Sequence, residues 1–98
     1  MRLMWLPYYR EDRLAGCLEL ARSENSLRAA SCDLEGSLWI KIASVALVPG
    51  REIAAARVLL RQLQAWAQRL NYRLWPEFEV ERWAQAIIAL IGAQDDKQ

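Results

Sequence analysis

The feature that most constrains this chain is a change of hydrophobic period at Pro49-Gly50. Before that dipeptide, from residue 14 to residue 48, apolar and polar residues are set out in short runs broken by turn-forming clusters. After it, Ile53, Ala56, Leu59, Leu60, Leu63, Trp66, Ala67 and Leu70 recur at i, i+3 and i+4. A period of two places alternate side chains on opposite faces of a strand, whereas a period near 3.6 places them along one side of a helix. The chain is therefore expected to fold as strands first and helices second, an α+β arrangement.

Ser23-Glu24-Asn25-Ser26 and Leu34-Glu35-Gly36-Ser37 are the two turn clusters within residues 14–48, and they divide it into three strands. A helix over residues 10–22 is the competing reading, because Leu14, Leu18 and Glu19 also fit helical spacing; Gly16 and the Asn25 turn favour a hairpin. With turn centres at Glu24-Asn25 and Glu35-Gly36, Cys17 falls opposite Cys32, and Cys32 opposite Trp39. Alternation then puts Leu18, Leu20, Leu27, Ala29, Ile40 and Ile42 on one face, which is apolar apart from Ser31 and Ser44 and needs covering by helices. Glu19, Arg28 and Lys41 lie on the other, with Cys17, Cys32, Trp39, Val45 and Leu47; Glu19 and Lys41 flank Ala30. A β-bulge would exchange part of this assignment.

Asn71 supplies a stop for the first helix, and residues 72–75 suggest a short fourth strand. A second helix follows, with Val80, Trp83, Ala84, Ile87, Ile88 and Ile91 inward, acidic residues at its start, and Gly92 closing it. The expected fold is α+β: a three-stranded antiparallel meander, then helix, short strand and helix, with the helices packed on one sheet face. One domain spans residues 1–98: an N-terminal segment (1–13), the meander (14–48), the helix-strand-helix unit (51–92) and a frayed tail (93–98).

Composition matters here chiefly for what it removes. The 98 residues are 54% hydrophobic and include five Trp, enough to build a core without disulfides or a metal. There is no His, so the usual general base and the commonest metal ligand are missing. The two Cys do not make a zinc site by themselves, and a disulfide between them is not expected in a reducing compartment. A net charge of +1 disfavours nucleic acid as a partner. The apolar stretch before Tyr8-Tyr9-Arg10 is short for a signal peptide, and no run has the length of a membrane span, so the expected location is cytoplasmic.

Two stretches carry candidate sites. The first is residues 48–56, Val-Pro-Gly-Arg-Glu-Ile-Ala-Ala-Ala, followed by Leu59-Leu60. A strand, tight turn and helix start can bind pyrophosphate through backbone N–H groups aligned with the helix dipole. The competing reading is a packing turn, with small Ala side chains letting a helix approach the sheet and Glu52 opposing an anion. The second is the outer sheet face, where Cys17, Cys32, Trp39, Val45 and Leu47 would form an apolar patch suited to a protein partner or to self-association. Alternatively, residues 3–9 fold over that patch within the same chain.

Residues 48–60 resemble the acetyl-CoA loop of the GNAT acetyltransferase family, which carries Arg/Gln-x-x-Gly-x-Gly/Ala between a strand and a helix. Arg51, Ala56, Leu59 and Leu60 match by position; Ala54 stands where the family has Gly, and Gly50 is displaced. Residues 74–78, Leu-Trp-Pro-Glu-Phe, are similar to a Pro-aromatic segment of small members, without the Cys found there. The resemblance implies an N-acyltransferase that binds acetyl-CoA through Arg51, Ile53, Ala54 and Ala56, with Glu77 as a proton acceptor. It also implies a cleft between the strand ending at Val48 and the strand at residues 72–75. The residues themselves supply no catalytic constellation. They favour a small non-enzymatic, adaptor-like or regulatory protein that acts through a protein interface, needs no cofactor or metal, and is a candidate homodimer.

Overall fold

The structure, a computed structural model, describes residues 2–36, 39–74 and 78–95. Its elements are β1 (Arg2–Arg10), β2 (Arg13–Arg22), β3 (Ser26–Cys32), β4 (Trp39–Ala46), α1 (Glu52–Arg69), β5 (Arg73–Leu74) and α2 (Val80–Asp95). The strands form one antiparallel sheet in the order β4-β3-β2-β1-β5. This corrects the expected three-stranded meander, since four strands precede the first helix and a fifth closes the sheet.

The added strand is β1, which lies in the expected N-terminal segment, residues 1–13. Residues 3–9 are all apolar or aromatic and contain Pro7, so they show no polar alternation. Yet the period of two is present: Leu6 and Tyr8 enter the core, while Trp5 turns to the opposite face and is half exposed. Pro7 is tolerated because β5 pairs with β1 only at Tyr8 and Tyr9, so among the described residues the edge of β1 beyond Tyr8 has no strand beside it. The β1–β2 turn was also hard to read. Its two central residues, Glu11 and Asp12, both have positive φ (50° and 62°), the geometry of a two-residue hairpin that usually selects Asn-Gly.

The register between β2 and β3 is the one that the turn centres imply: Cys17 faces Cys32, and Glu19 faces Ala30. Between β3 and β4, Cys32 faces Trp39 and Ala30 faces Lys41, but a bulge follows, so that Ala29 pairs with Ala43 and Ile42 is the extra residue. Every residue of β4 beyond it changes face. Val45 then lies opposite Leu27 and packs against the core, and Leu47 is buried in it. Both were expected on the outer face. Ser44, expected on the covered face, sits opposite Arg28 and is exposed. Ile40 shares a row with Leu18 and Ser31 but, at the sheet edge, is 51% exposed.

Both helices pack on the face formed by Leu6, Leu18, Leu20, Leu27 and Ala29. An α-helix of this length runs about 27 Å, whereas five strands span roughly 19 Å. Helix α1 can therefore begin beside β4 and deliver β5 to the opposite edge. It buries Ala55, Ala56, Leu59, Leu60, Leu63, Trp66 and Ala67, and its terminus is set by Asn71 at φ 59°. There Tyr72 N–H donates to Ala67 O (2.8 Å) and Asn71 N–H to Gln68 O (3.3 Å), the paired bonds of a Schellman ending. That ending seats Tyr72 against Tyr8 (ring centroids 4.6 Å apart) and Trp66 (5.3 Å), while Trp66 meets Tyr8 edge-on at 5.2 Å. Arg10 closes the knot, its guanidinium 4.4 Å above Tyr72 and bonded to Leu70 O at 2.7 Å.

Helix α2 packs on α1 through Ala84, Ile87 and Ile91, and Arg57 and Glu81 join the helices by two hydrogen bonds of 2.8 and 3.2 Å. It runs through Gly92 to Asp95, so Gly92 is an internal residue and not the terminator the sequence suggested.

Candidate functional site

The turn before α1 has a definite geometry. Arg51 N–H donates to Val48 O at 2.9 Å, with Pro49 and Gly50 between them and Gly50 at φ 82°. This is a type II turn, which needs φ > 0 at its third residue and so favours Gly there. The Glu52 carboxylate accepts a hydrogen bond from Gly50 N–H at 2.8 Å, so the chain's own anion occupies an amide of the loop. Ala55 N–H already bonds Arg51 O at 3.2 Å. Of the residues assigned to pyrophosphate, Arg51 and Ala54 are exposed, Ile53 packs partly on the core, and Ala56 is fully buried. Strands β4 and β5 lie on opposite edges of the sheet and are not neighbours. Residues 75–77, which include Glu77 and most of the Pro-aromatic segment, lie outside the described residues.

The second candidate is the sheet face opposite the helices. From β1 to β4 its central rows read Pro7–Cys17–Cys32–Trp39 and Trp5–Glu19–Ala30–Lys41. Trp5 and Trp39 belong to strands separated by two others, yet their ring centroids are 5.7 Å apart. The rings must lean toward one another across the small side chains of Cys17, Ala30 and Cys32. This explains why Cys32 is buried on a face that no helix covers, while Trp5 and Trp39 remain 40% and 47% exposed. Of the five residues expected in the patch, the structure leaves Cys17, Cys32 and Trp39 on this face. It moves Val45 and Leu47 to the core and adds Trp5 and Arg2.

The guanidinium of Arg2 lies 4.6 Å over the Trp5 ring and 4.0 Å from the Glu19 carboxylate. Beside the Trp pair is a shallow groove of about 250 Å³, lined by Glu19, Ala21, Arg28, Ala30 and Lys41. It exists because Ala21 and Ala30 leave low ground between long neighbours. Arg28 and Lys41 are exposed, and among the described residues neither has a carboxylate within ion-pairing distance.

The thiols of Cys17 and Cys32 are both free, and burial raises the pKa of each above its ordinary value. Thiols held neutral are poor nucleophiles, so this pair does not read as reactive. Tyr8 is also raised, first by burial, with a hydrogen bond to Ser31 acting the other way. A cavity of about 270 Å³, with no counterpart in the sequence pattern, lies where α1 meets β5, between Gln64, Gln68, Tyr72, Leu74 and Phe78. Among the described residues no cluster of three metal-ligating side chains occurs, and no helix is long and apolar enough to cross a membrane.

Comparison with known proteins finds no family model, no curated protein and no solved structure that this chain matches.

Proposed function

We propose that this chain is a small non-enzymatic binding module that acts through the open face of its sheet on a protein partner. One observation carries the reading: two Trp side chains, Trp5 and Trp39, stand nearly half exposed on a face that no helix covers. Burying the remainder of such rings is among the larger gains available to an interface, and exposed aromatics beside Arg are typical of interface centres. The acetyl-CoA reading draws no comparable support. The loop amide at Gly50 is taken by Glu52, and the expected cleft would have to join opposite edges of the sheet.

Two measurements test this. Replacing Trp39 by the photoreactive p-benzoylphenylalanine should give a discrete cross-linked species in cells, while the same replacement of Val58, exposed on α1, should give none. Equal cross-linking at both positions would refute the reading. Millimolar acetyl-CoA should leave the melting temperature unchanged. A ligand at a hundred times its Kd adds about 2.7 kcal/mol of stability, so a shift of many degrees that Arg51→Glu abolishes would replace this reading with the acyltransferase.

A further inference from the structure

Taking the open face as an interface, we infer that its partner is an acidic polypeptide segment, seated along the groove between Arg28 and Lys41 with an apolar side chain against Trp39. The inference rests on the interface reading and specifies the chemistry of the occupant.

Charge complementarity carries it. The groove and its rim hold Arg2, Arg28 and Lys41 against the single carboxylate of Glu19, which is the one that Arg2 approaches. Arg28 and Lys41 are left as two cations on neighbouring strands. Arg28 pairs with Ser44 and Lys41 with Ala30, so the two stand on adjacent strands either side of the Ile42 bulge, and both line the groove. Carboxylates of an extended segment lying in the groove therefore meet both cations, and a neighbouring residue of that segment reaches Trp39, two residues from Lys41 along β4.

A second copy of the chain fits less well. A two-fold interface would bring the patch against its own copy, gathering four such cations with only the two Glu19 carboxylates, each already near Arg2, to offset them. Single-stranded nucleic acid also fits less well. Base stacking needs open aromatic faces, whereas one face of Trp5 is taken by the Arg2 guanidinium and its ring is tilted against Trp39.

The test is an NMR titration of the full chain with three probes of equal length. The first is a blocked peptide in which Glu alternates with Thr around a central Leu, the second its Lys-for-Glu analogue, and the third an oligothymidylate. The acidic peptide should move the Trp39 indole and the Ala30 and Lys41 amide signals saturably, and rising salt should weaken it. Affinity should fall about tenfold in the Arg28→Glu/Lys41→Glu variant. Both side chains are exposed, and the salt and probe comparisons use the unaltered chain, so the test survives a poorly folded variant.

Equal binding of the lysine peptide, tighter binding of oligothymidylate to this face, or no response to the acidic peptide would each overturn the inference. If the position-39 cross-link persists alongside such a result, the interface reading stands and only the charge assignment fails. If the cross-link is lost as well, both fall.

Discussion

Gly16→Ala should destabilise this protein although it replaces the residue least suited to a strand. Gly16 lies on β2 directly opposite Tyr8. A Cβ built there would fall on the Tyr8 hydroxyl, 2.6 Å from Tyr8 Cζ and 2.6 Å from the Cys32 carbonyl oxygen. Ordinary contact begins near 3.4 Å, so both neighbours must retreat, each by about 0.8 Å. Neither can do so freely. The Cys32 oxygen belongs to the sheet backbone, and the Tyr8 ring is held between Trp66 and Tyr72.

Overpacking of this kind costs about 1–3 kcal/mol. Removing a strand glycine returns roughly 0.5–1 kcal/mol. The expected net loss is about 1 kcal/mol, a fall in melting temperature of roughly 4–8 °C for a domain of this size. Thermal and urea denaturation of the two proteins measure it. A double-mutant cycle locates it: Gly16→Ala made in a Tyr8→Leu background should cost at least about 1 kcal/mol less than in the parent. A neutral or stabilising Gly16→Ala would refute the packing argument and leave Gly16 a weak strand residue with room beside it.

Other expectations follow from local features. Glu11→Asn with Asp12→Gly should stabilise the protein by about 1 kcal/mol, because both residues now occupy left-handed backbone that costs an ordinary side chain; an unchanged urea midpoint would mean that the turn is unstrained. The indole N–H of Trp83 is buried with no hydrogen-bond partner among the described residues. Trp83→Phe should therefore change stability by no more than about 1 kcal/mol, since lost packing is offset by removal of an unsatisfied donor; a loss above about 2 kcal/mol would point to a partner for that N–H. Stability should also decline in alkali. Burial raises the Cys17, Cys32 and Tyr8 pKa values, so the folded chain keeps these protons to higher pH than the unfolded chain. Their contribution is complete below the unfolded Cys value, about 8.5, and is lost as pH climbs through the folded values. Cys17→Ala/Cys32→Ala should flatten the first part of that decline, and unfolding midpoints measured from neutral pH upward would show whether it does.

Much of the architecture could be read from local signals. Ser23-Glu24-Asn25-Ser26 is a turn cluster whose centre fixes Cys17 opposite Cys32, and the structure has that pairing. Asn71 ends α1, and the apolar spacing of residues 53–70 gives its buried side. Strand β1 escaped because both of its faces are apolar, one for the core and one for the Trp pair, so the alternation that marks a half-buried strand is erased. The outer face was legible in part. Trp39, Arg28 and Lys41 followed from register, but Trp5 joined them only once β1 was placed beside β2.

The division has a physical cause. Periodicity, turn chemistry and helix stops act over a few residues, and the sequence by itself determined strands before helices, two helices with defined inner sides, and the pairing nearest the turns at Glu24-Asn25 and Glu35-Gly36. A bulge is one inserted residue whose position is chosen by packing, and only the tertiary structure decided that Ile42 bulges and that Val45 and Leu47 face the core. The same holds for strand order. Pairing β5 with β1 depends on an 18-residue helix long enough to cross the sheet, and on Tyr8, Trp66 and Tyr72 meeting at its far end. These contacts join residues far apart in the chain, and no local pattern encodes them.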